Sequence, residues 1–415
     1  MKNLSRRQFI GGTMAATAAG TMLGALTSRA ESTNAPAKPV EIKRKIKLGY
    51  VGLGGRGHWL AGLFRQHGGY DLYAVADYFP EVVERQGNAL GVDKSRRFSG
   101  LSGYKKVIES GVEALVIEDV PYFYPEQAQA AVQAGLHVYM AKPLAVDVPG
   151  TLLVNNTGKL ATQKKLVMLV DYQLPTEPAM IELANRIQEG GLGALTQVMS
   201  TGFGWHAWPD PARQKTIEHL LSGQLWMSDT ALSGDTILSY DIHIIDGVIF
   251  ALGKRPVAAY GQSRICRPNP HGDRTDYLSA VYEMEGGALW THITQSLDNN
   301  WDADATTLSA KLFGTKATAH IQYSGGKIHL RGGDKNYVGK IGNDIYTDGA
   351  NRNVAAFYSN IVGEHFENTS VARAVDGHLT AILGREAAAR SRRIMMDELI
   401  KENKKLEVDL TGLKA

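Results

Sequence analysis

The chain has 415 residues, enough for two domains of ordinary size. Its 45 Lys and Arg against 42 Asp and Glu leave a net charge of +3, which gives no reason to expect a nucleic-acid partner. A single cysteine, Cys266, excludes an internal disulfide and any C-x-x-C zinc or redox site, and reads as a buried small hydrophobe.

Residues 1–30 stand outside the fold. Ser5-Arg6-Arg7-Gln8-Phe9-Ile10 precedes a mildly apolar run at 11–26, rich in Gly, Ala and Thr, and Ser28-Arg29-Ala30 offers a small-residue cleavage site. Paired arginines before a weakly hydrophobic stretch read as a twin-arginine signal, and the stretch is too short and too rich in Gly and Thr for a membrane span. The expectation is export to the periplasm by the twin-arginine machinery, already folded. Any cofactor would then be loaded first and held tightly. Residues 31–45 read as an extended arm, either a linker or a strap over the cofactor, with Lys43-Arg44-Lys45-Lys47 a solvated strand entry.

From 46 to 171 strands and helices alternate. Residues 46–51 form a short strand pattern, Gly52-Leu53-Gly54-Gly55-Arg56-Gly57 follows at once, and 58–66 reads as a helix. Gly52 permits the turn, Gly54 lets a pyrophosphate approach the backbone, and Gly57 lets helix and strand pack closely. The second strand ends in Asp77, 25 residues after Gly52. A carboxylate there accepts from ribose hydroxyls and repels a 2′-phosphate, favouring NAD, while Arg56 keeps NADP open. Helices at 80–88, 104–110, 125–134 and 146–163 alternate with strands at 114–117, 136–139 and 166–170. This predicts an α/β Rossmann domain with a parallel sheet.

From 172 the pattern changes. A helix at 178–189 precedes strands at 195–202, 257–261, 277–284, 288–295, 307–313 and 316–322, and a helix at 375–403 closes the chain. The set predicts a second, α+β domain over 172–415 with an open, mostly antiparallel sheet. Phe203-Gly204-Trp205-His206-Ala207-Trp208-Pro209 places Trp205, His206 and Trp208 among turn residues. The loop reads equally as the lining of a sugar pocket or as a self-packed surface or oligomer contact. Asp298-Asn299-Asn300-Trp301 is a weaker case of the same kind. His137 and His243 lack metal-ligand spacing, so no metal is expected. No G-x-S-x-G element occurs, and nothing selects a carboxylate pair for a glycosidase.

The run Ala134-Gly135-Leu136-His137-Val138-Tyr139-Met140-Ala141-Lys142-Pro143-Leu144 resembles the AGKHVYCEKPL segment of the glucose–fructose oxidoreductase, inositol dehydrogenase and MocA family. The resemblance continues through Gly193-Ala194-Leu195 and from Leu238 to Asp246. It implies that Lys142 faces the nicotinamide and the substrate hydroxyl, after which a cis peptide precedes Pro143. It also implies that His243 is the acid/base and that one face of the second sheet makes a homo-oligomer interface. Several positions depart from the family pattern: Ser239 replaces a carboxylate, Ala141 replaces the glutamate before the lysine, and Tyr124 replaces a histidine. Tyr240 stands three residues before His243, on the same face of a helix, while Asp241 falls elsewhere on it and is a candidate substrate residue. The implied activity is hydride transfer between trapped NAD and a sugar or sugar derivative, with a second carbonyl compound reoxidising the cofactor. A second reading comes from Tyr240-x-x-His243 and the Gly54–Gly57 loop, which resemble elements of NAD-dependent α-N-acetylgalactosaminidases, although those tend to lack the lysine. A third is a sugar-binding protein without activity.

Overall fold

The computed structural model describes residues 41–203, 210, 212, 216–297, 308–323 and 325–415. The proposed signal, most of the arm, Trp205, His206, Trp208 and the 298–301 segment lie outside these residues.

The first half alternates as the sequence predicts: β1 (Ile46–Val51), α1 (Gly55–His67), β2 (Tyr70–Asp77), α2 (Pro80–Leu90), β3 (Arg97–Ser99), α3 (Gly103–Glu109), β4 (Ala114–Ile117), α4 (Tyr124–Gln133), β5 (His137–Ala141), α5 (Val148–Gln163) and β6 (Met168–Asp171). The six strands form one parallel sheet in the order β3-β2-β1-β4-β5-β6, the doubly wound dinucleotide-binding order. Gly52 has φ +85°, and a Cβ there would stand 2.3 Å from the Glu118 carbonyl carbon; one at Gly57 would stand 2.0 Å from the Gly52 oxygen. Both positions therefore admit only glycine. Around Gly54 the space is open.

The second half runs α6 (Pro178–Arg186), β7 (Leu195–Phe203), α7 (Ile217–Leu221), α8 (Thr230–Ser233), α9 (Thr236–Ser239), α10 (Ile242–Leu252), β8 (Ala258–Arg264), β9 (Tyr277–Glu283), β10 (Leu289–Gln295), β11 (Leu308–Gly314), β12 (Thr318–Gln322), β13 (Lys327–Arg331), β14 (Tyr337–Lys340), α11 (Ile345–Val362), α12 (Thr369–Arg390), β15 (Ile394–Met395) and α13 (Met396–Glu402). Nine strands join in the order β14-β13-β12-β11-β7-β10-β9-β8-β15, antiparallel except for β7 beside β10. α10 and α12 cover one face. The other carries exposed Met199, Tyr260, Leu289 and Val338.

Two elements tie the halves together. α11 contributes Ala350, Val354, Phe357 and Ile361 to the core beneath α1 and the parallel sheet, while α12 joins the opposite core, which runs from α4 and α5 into the second sheet. Residues 41–45 lie near α11 and the start of β1: the Lys43 and Arg44 amides donate to the Tyr358 hydroxyl at 2.9 and 3.3 Å, and Arg44 pairs with Glu113.

Three expectations need correction. The helix at 375–403 is two helices, broken where Ser391 turns left-handed (φ +48°) and Ile394 and Met395 pair with β8. Tyr240 lies between α9 and α10 with φ −125° and ψ −57°, so it does not share a continuous helix face with His243. Cys266 is exposed, in the loop that follows β8.

Candidate active site

The carboxyl ends of β1, β2, β4 and β5 open into a cavity of about 470 Å³. Its lining includes Gly52, Gly54, Gly55, Arg56 and Gly57, then Asp77, Glu118, Asp119, Tyr124, Lys142 and Ser239. α1 starts here with Gly54 at its N-cap, no side-chain cap and no acidic residue in its first turn. Its free N–H groups and positive dipole end therefore face the cavity, an arrangement suited to a pyrophosphate. Asp77 ties the loop to β2: Oδ2 accepts from the Leu53 N–H at 2.8 Å and Oδ1 from the Phe79 N–H at 3.0 Å. Burial raises this carboxyl above its ordinary pKa, against the pull of the two N–H donors. Each oxygen keeps a lone pair, so the glycine cradle and Asp77 together fit a dinucleotide.

The roof over this end comes from distant chain. Leu221, Gly223, Gln224, Trp226 and Met227 line the cavity. Leu220, Leu221 and Leu232 cluster with Tyr78 and Val120, and Val408 and Leu413 of the C-terminal tail pack on them. The Leu101 amide donates to the Lys414 carbonyl at 3.0 Å, and the Tyr78 hydroxyl donates to Glu218 at 2.9 Å.

At the other end, charges converge from four distant segments. Arg56 donates from Nε to the Tyr346 hydroxyl at 2.6 Å, from Nη1 to Glu118 Oε2 at 2.5 Å and from Nη2 to Asp171 Oδ2. Asp171 also accepts from Asn353 at 2.7 Å. Burial raises the Glu118 carboxyl to about 7, against the attraction of Arg56. The Lys142–Pro143 peptide is cis, and Lys142 Nζ donates to the Ser239 carbonyl at 2.6 Å. Burial and the Arg56 charge lower this amine to about 7. His378, fully buried on α12, accepts the Leu144 N–H at 2.7 Å and donates to the Ala374 carbonyl at 2.9 Å, fixing the segment that carries Lys142.

His243 is buried in the first turn of α10, its ring 4.8 Å from that of Tyr323 and 6.5 Å from that of Tyr346. Its Nδ1 has no hydrogen-bond partner among the described residues. Burial, with Lys142 and Arg56 nearby, holds its pKa well below the ordinary value, so the ring stays neutral. Asp241 does not line the cavity. Its Oδ2 accepts from His292 Nε2 at 3.0 Å and from Thr294, and it presses on β7 where Gly202 leaves no room for a Cβ. It serves the second sheet, though its charge reaches Lys142.

Sequence reasoning named the glycine loop, Asp77, Lys142 and His243 but missed Glu118, Asp171, Tyr346 and His378. For Glu118 a signal existed: a carboxylate directly after the buried strand Ala114–Ile117, at the sheet's switch point.

Residues 180–320 match the family model described as the GFO/IDH/MocA C-terminal domain. An α-N-acetylgalactosaminidase of Shewanella oneidensis is 23% identical over 296 residues, which is 68% of this chain and 59% of the relative. The chain thus spans about three fifths of the length of such curated relatives. Among solved structures, a levoglucosan dehydrogenase in complex with NADH and levoglucosan aligns with a TM-score of 0.68 at 16% identity, covering 85% of this chain and 100% of that one. A scyllo-inositol dehydrogenase of Lactobacillus casei with bound NAD(H) and scyllo-inositol aligns at 0.63 and 17%, with the same coverage. At these identities the likeness establishes the fold.

Proposed function

We propose, from the match of residues 180–320 to the GFO/IDH/MocA C-terminal domain model and the fold shared with the levoglucosan and scyllo-inositol dehydrogenases, that the chain is an NAD-dependent oxidoreductase acting on a carbinol carbon of a sugar or sugar derivative. The observation that carries this reading is Lys142, held by the Ser239 carbonyl and lining the same cavity as the glycine cradle. NAD, when bound, would supply the hydride acceptor, the start of α1 would hold its pyrophosphate and Asp77 its adenine ribose. His243, neutral and with Nδ1 free, takes the hydroxyl proton. Lys142 as an ammonium donates to the oxygen on which charge develops. Tyr240, close enough to act on the Tyr323 phenol, would contact the substrate. Trp205, His206 and Trp208, outside the described residues, would supply aromatic faces for a sugar ring if their loop lines the pocket rather than packing on itself or on an oligomer partner.

The roof from 217–228 and the C-terminal tail supports a tightly held nucleotide, which a twin-arginine route to the periplasm would require. The exposed apolar residues of the second sheet support a homo-oligomer. A second reading, a redox-assisted glycosidase, is favoured by the α-N-acetylgalactosaminidase among the relatives. One experiment separates the two. Protein purified from the exported fraction is mixed with sugars and with aryl glycosides, following 340 nm absorbance and aglycone release. Growth of reduced nucleotide without aglycone is the expected result. Aglycone release with no net reduction replaces it with the glycosidase reading. Absence of nucleotide from the denatured protein overturns the tightly held cofactor.

A further inference from the structure

Removing hydride from a carbinol also releases its hydroxyl proton, and the groups named so far hold that proton poorly. A protonated His243 would be a buried cation beside Lys142 and Arg56. Lys142, already an ammonium in that reading, stands beside the same guanidinium and has no site for a further proton.

Three buried acceptors lining the cavity lack a hydrogen-bond partner among the described residues, Gln127 Oε1, Ser239 Oγ and Glu118 Oε1, and of these the last belongs to a carboxylate. The Glu118 side chain is 1% exposed and lines the cavity together with Lys142. Its Oε2 is fixed by Arg56, but Oε1 is buried without a hydrogen-bond partner among the described residues. A buried polar atom left so in a native site calls for a function. Charged groups reach it from three elements: Arg56 on α1, Asp171 on β6 and Lys142 after β5. Phenols also face it from β1 (Tyr50), α4 (Tyr124), β5 (Tyr139) and α11 (Tyr346). Arg56 is shared between two carboxylates, so protonating Glu118 leaves an Arg56–Asp171 pair rather than an unpaired charge.

We propose that Glu118 is the proton store of this site: its free oxygen takes up the proton that hydride transfer sets loose and returns it in the reverse reaction. The inference rests on the dehydrogenase reading. In the forward step the substrate C–H pair goes to NAD, the O–H bond breaks, a C=O bond forms, and the proton passes through His243 to Glu118 Oε1. Reduction removes the positive charge of the nicotinamide ring, which strengthens proton binding on Glu118 at the moment it is needed. The affinity of the carboxyl, near 7, suits both uptake and return.

The test is E118Q, with E118D keeping a carboxylate opposite Arg56. Infrared difference spectra of the holoprotein between pH 8 and pH 6 require no sugar. The expected result is a protonated-carboxyl band in the wild type that weakens in E118Q at unchanged nucleotide content and shifts in E118D, above the contribution of Asp119, whose buried carboxyl is raised to about 6. A band equally strong in E118Q, or missing from the wild type, overturns the proposal; if E118Q fails to fold, an unshifted band in E118D overturns it. With a reducing sugar substrate at pH 7, where Glu118 starts about half ionised, wild type releases only about half a proton per hydride to an indicator dye, whereas E118Q releases about one, and kcat falls on the order of 100-fold. Equal proton release from both proteins also overturns it. Failure of every sugar to reduce wild-type NAD, with the infrared result as expected, counts against the dehydrogenase reading and leaves the titration of Glu118 established.

Discussion

The two ends of the cavity are built from different materials. At the Asp77 end, backbone N–H groups, glycines and one carboxylate come from a single βαβ unit within about thirty residues of chain. At the Lys142 end, Arg56, Glu118, Asp171 and Tyr346 lie as far as 290 positions apart, and their side-chain charges are paired with each other. Dipoles and N–H groups bind a dinucleotide without titrating. Buried, coupled charges are costly to assemble, but they place two ionisable groups near neutrality. On the proposed reading, binding belongs to the first end and proton chemistry to the second.

Substituting Lys142 separates these roles most sharply. K142M should lower kcat on the order of 1,000-fold while the purified protein keeps its nucleotide. The sign of the pH dependence also follows. Because the amine is lowered to about 7, its ammonium form declines as pH rises through 7, so wild-type sugar oxidation should lose rate on the alkaline side. K142M should lack that limb, and E118Q should lack the acidic one. The two apparent pKa values belong to the pair rather than to either residue. Stopped-flow reduction of bound NAD from pH 5.5 to 9 reads this, and loss of nucleotide from K142M would erase the division between the ends.

Arg56 comes next, because the loop sequence alone places it at the first end and the structure at the second. R56L leaves Glu118 and Asp171 facing each other without their shared cation. The cost should be on the order of 3 kcal/mol, near the lower end for a broken buried pair since 24% of the side chain reaches solvent. Urea unfolding measures it. An unchanged midpoint, with weaker binding of NADP alone, would return Arg56 to the role the sequence suggested.

The legible parts of the molecule are those whose reasons are local. Strand and helix alternation over 46–171, the glycine turn and Asp77 each follow from neighbours a few residues away. So does the alternating burial of β9 and β10 in the second sheet. What was not legible depends on tertiary contacts. The chain at 390–393 has neither Gly nor Pro to stop a helix, yet it breaks so that Ile394 and Met395 can pair with Ala259 and Ala258. The break between α9 and α10, at Tyr240, adjoins Asp241, buried beneath β7 and β10. Arg56 reads as a phosphate ligand until Glu118 and Asp171, from two other strands, appear around it. Lys142 and His243 were found through a resemblance, since neither periodicity nor spacing marks them.

Asp77 gives the smallest effect and the cleanest test of the first end. D77N keeps an oxygen for the Leu53 N–H but turns its NH2 toward the Phe79 N–H, so the loop should hold its shape at a cost on the order of 1 kcal/mol. What changes is the charge facing position 2′ of the adenine ribose. Removing it should shift the ratio of NAD to NADP affinity about tenfold toward NADP, roughly 1.4 kcal/mol. Arg56 does not compensate. It reaches Asp171 on β6, three strands from β1 on the side away from β2, about 14 Å across the sheet from β1. Equilibrium dialysis of stripped D77N against each nucleotide measures the ratio. A ratio that moves in R56L but not in D77N would show that the end of the cavity built from backbone is not where the two cofactors are told apart.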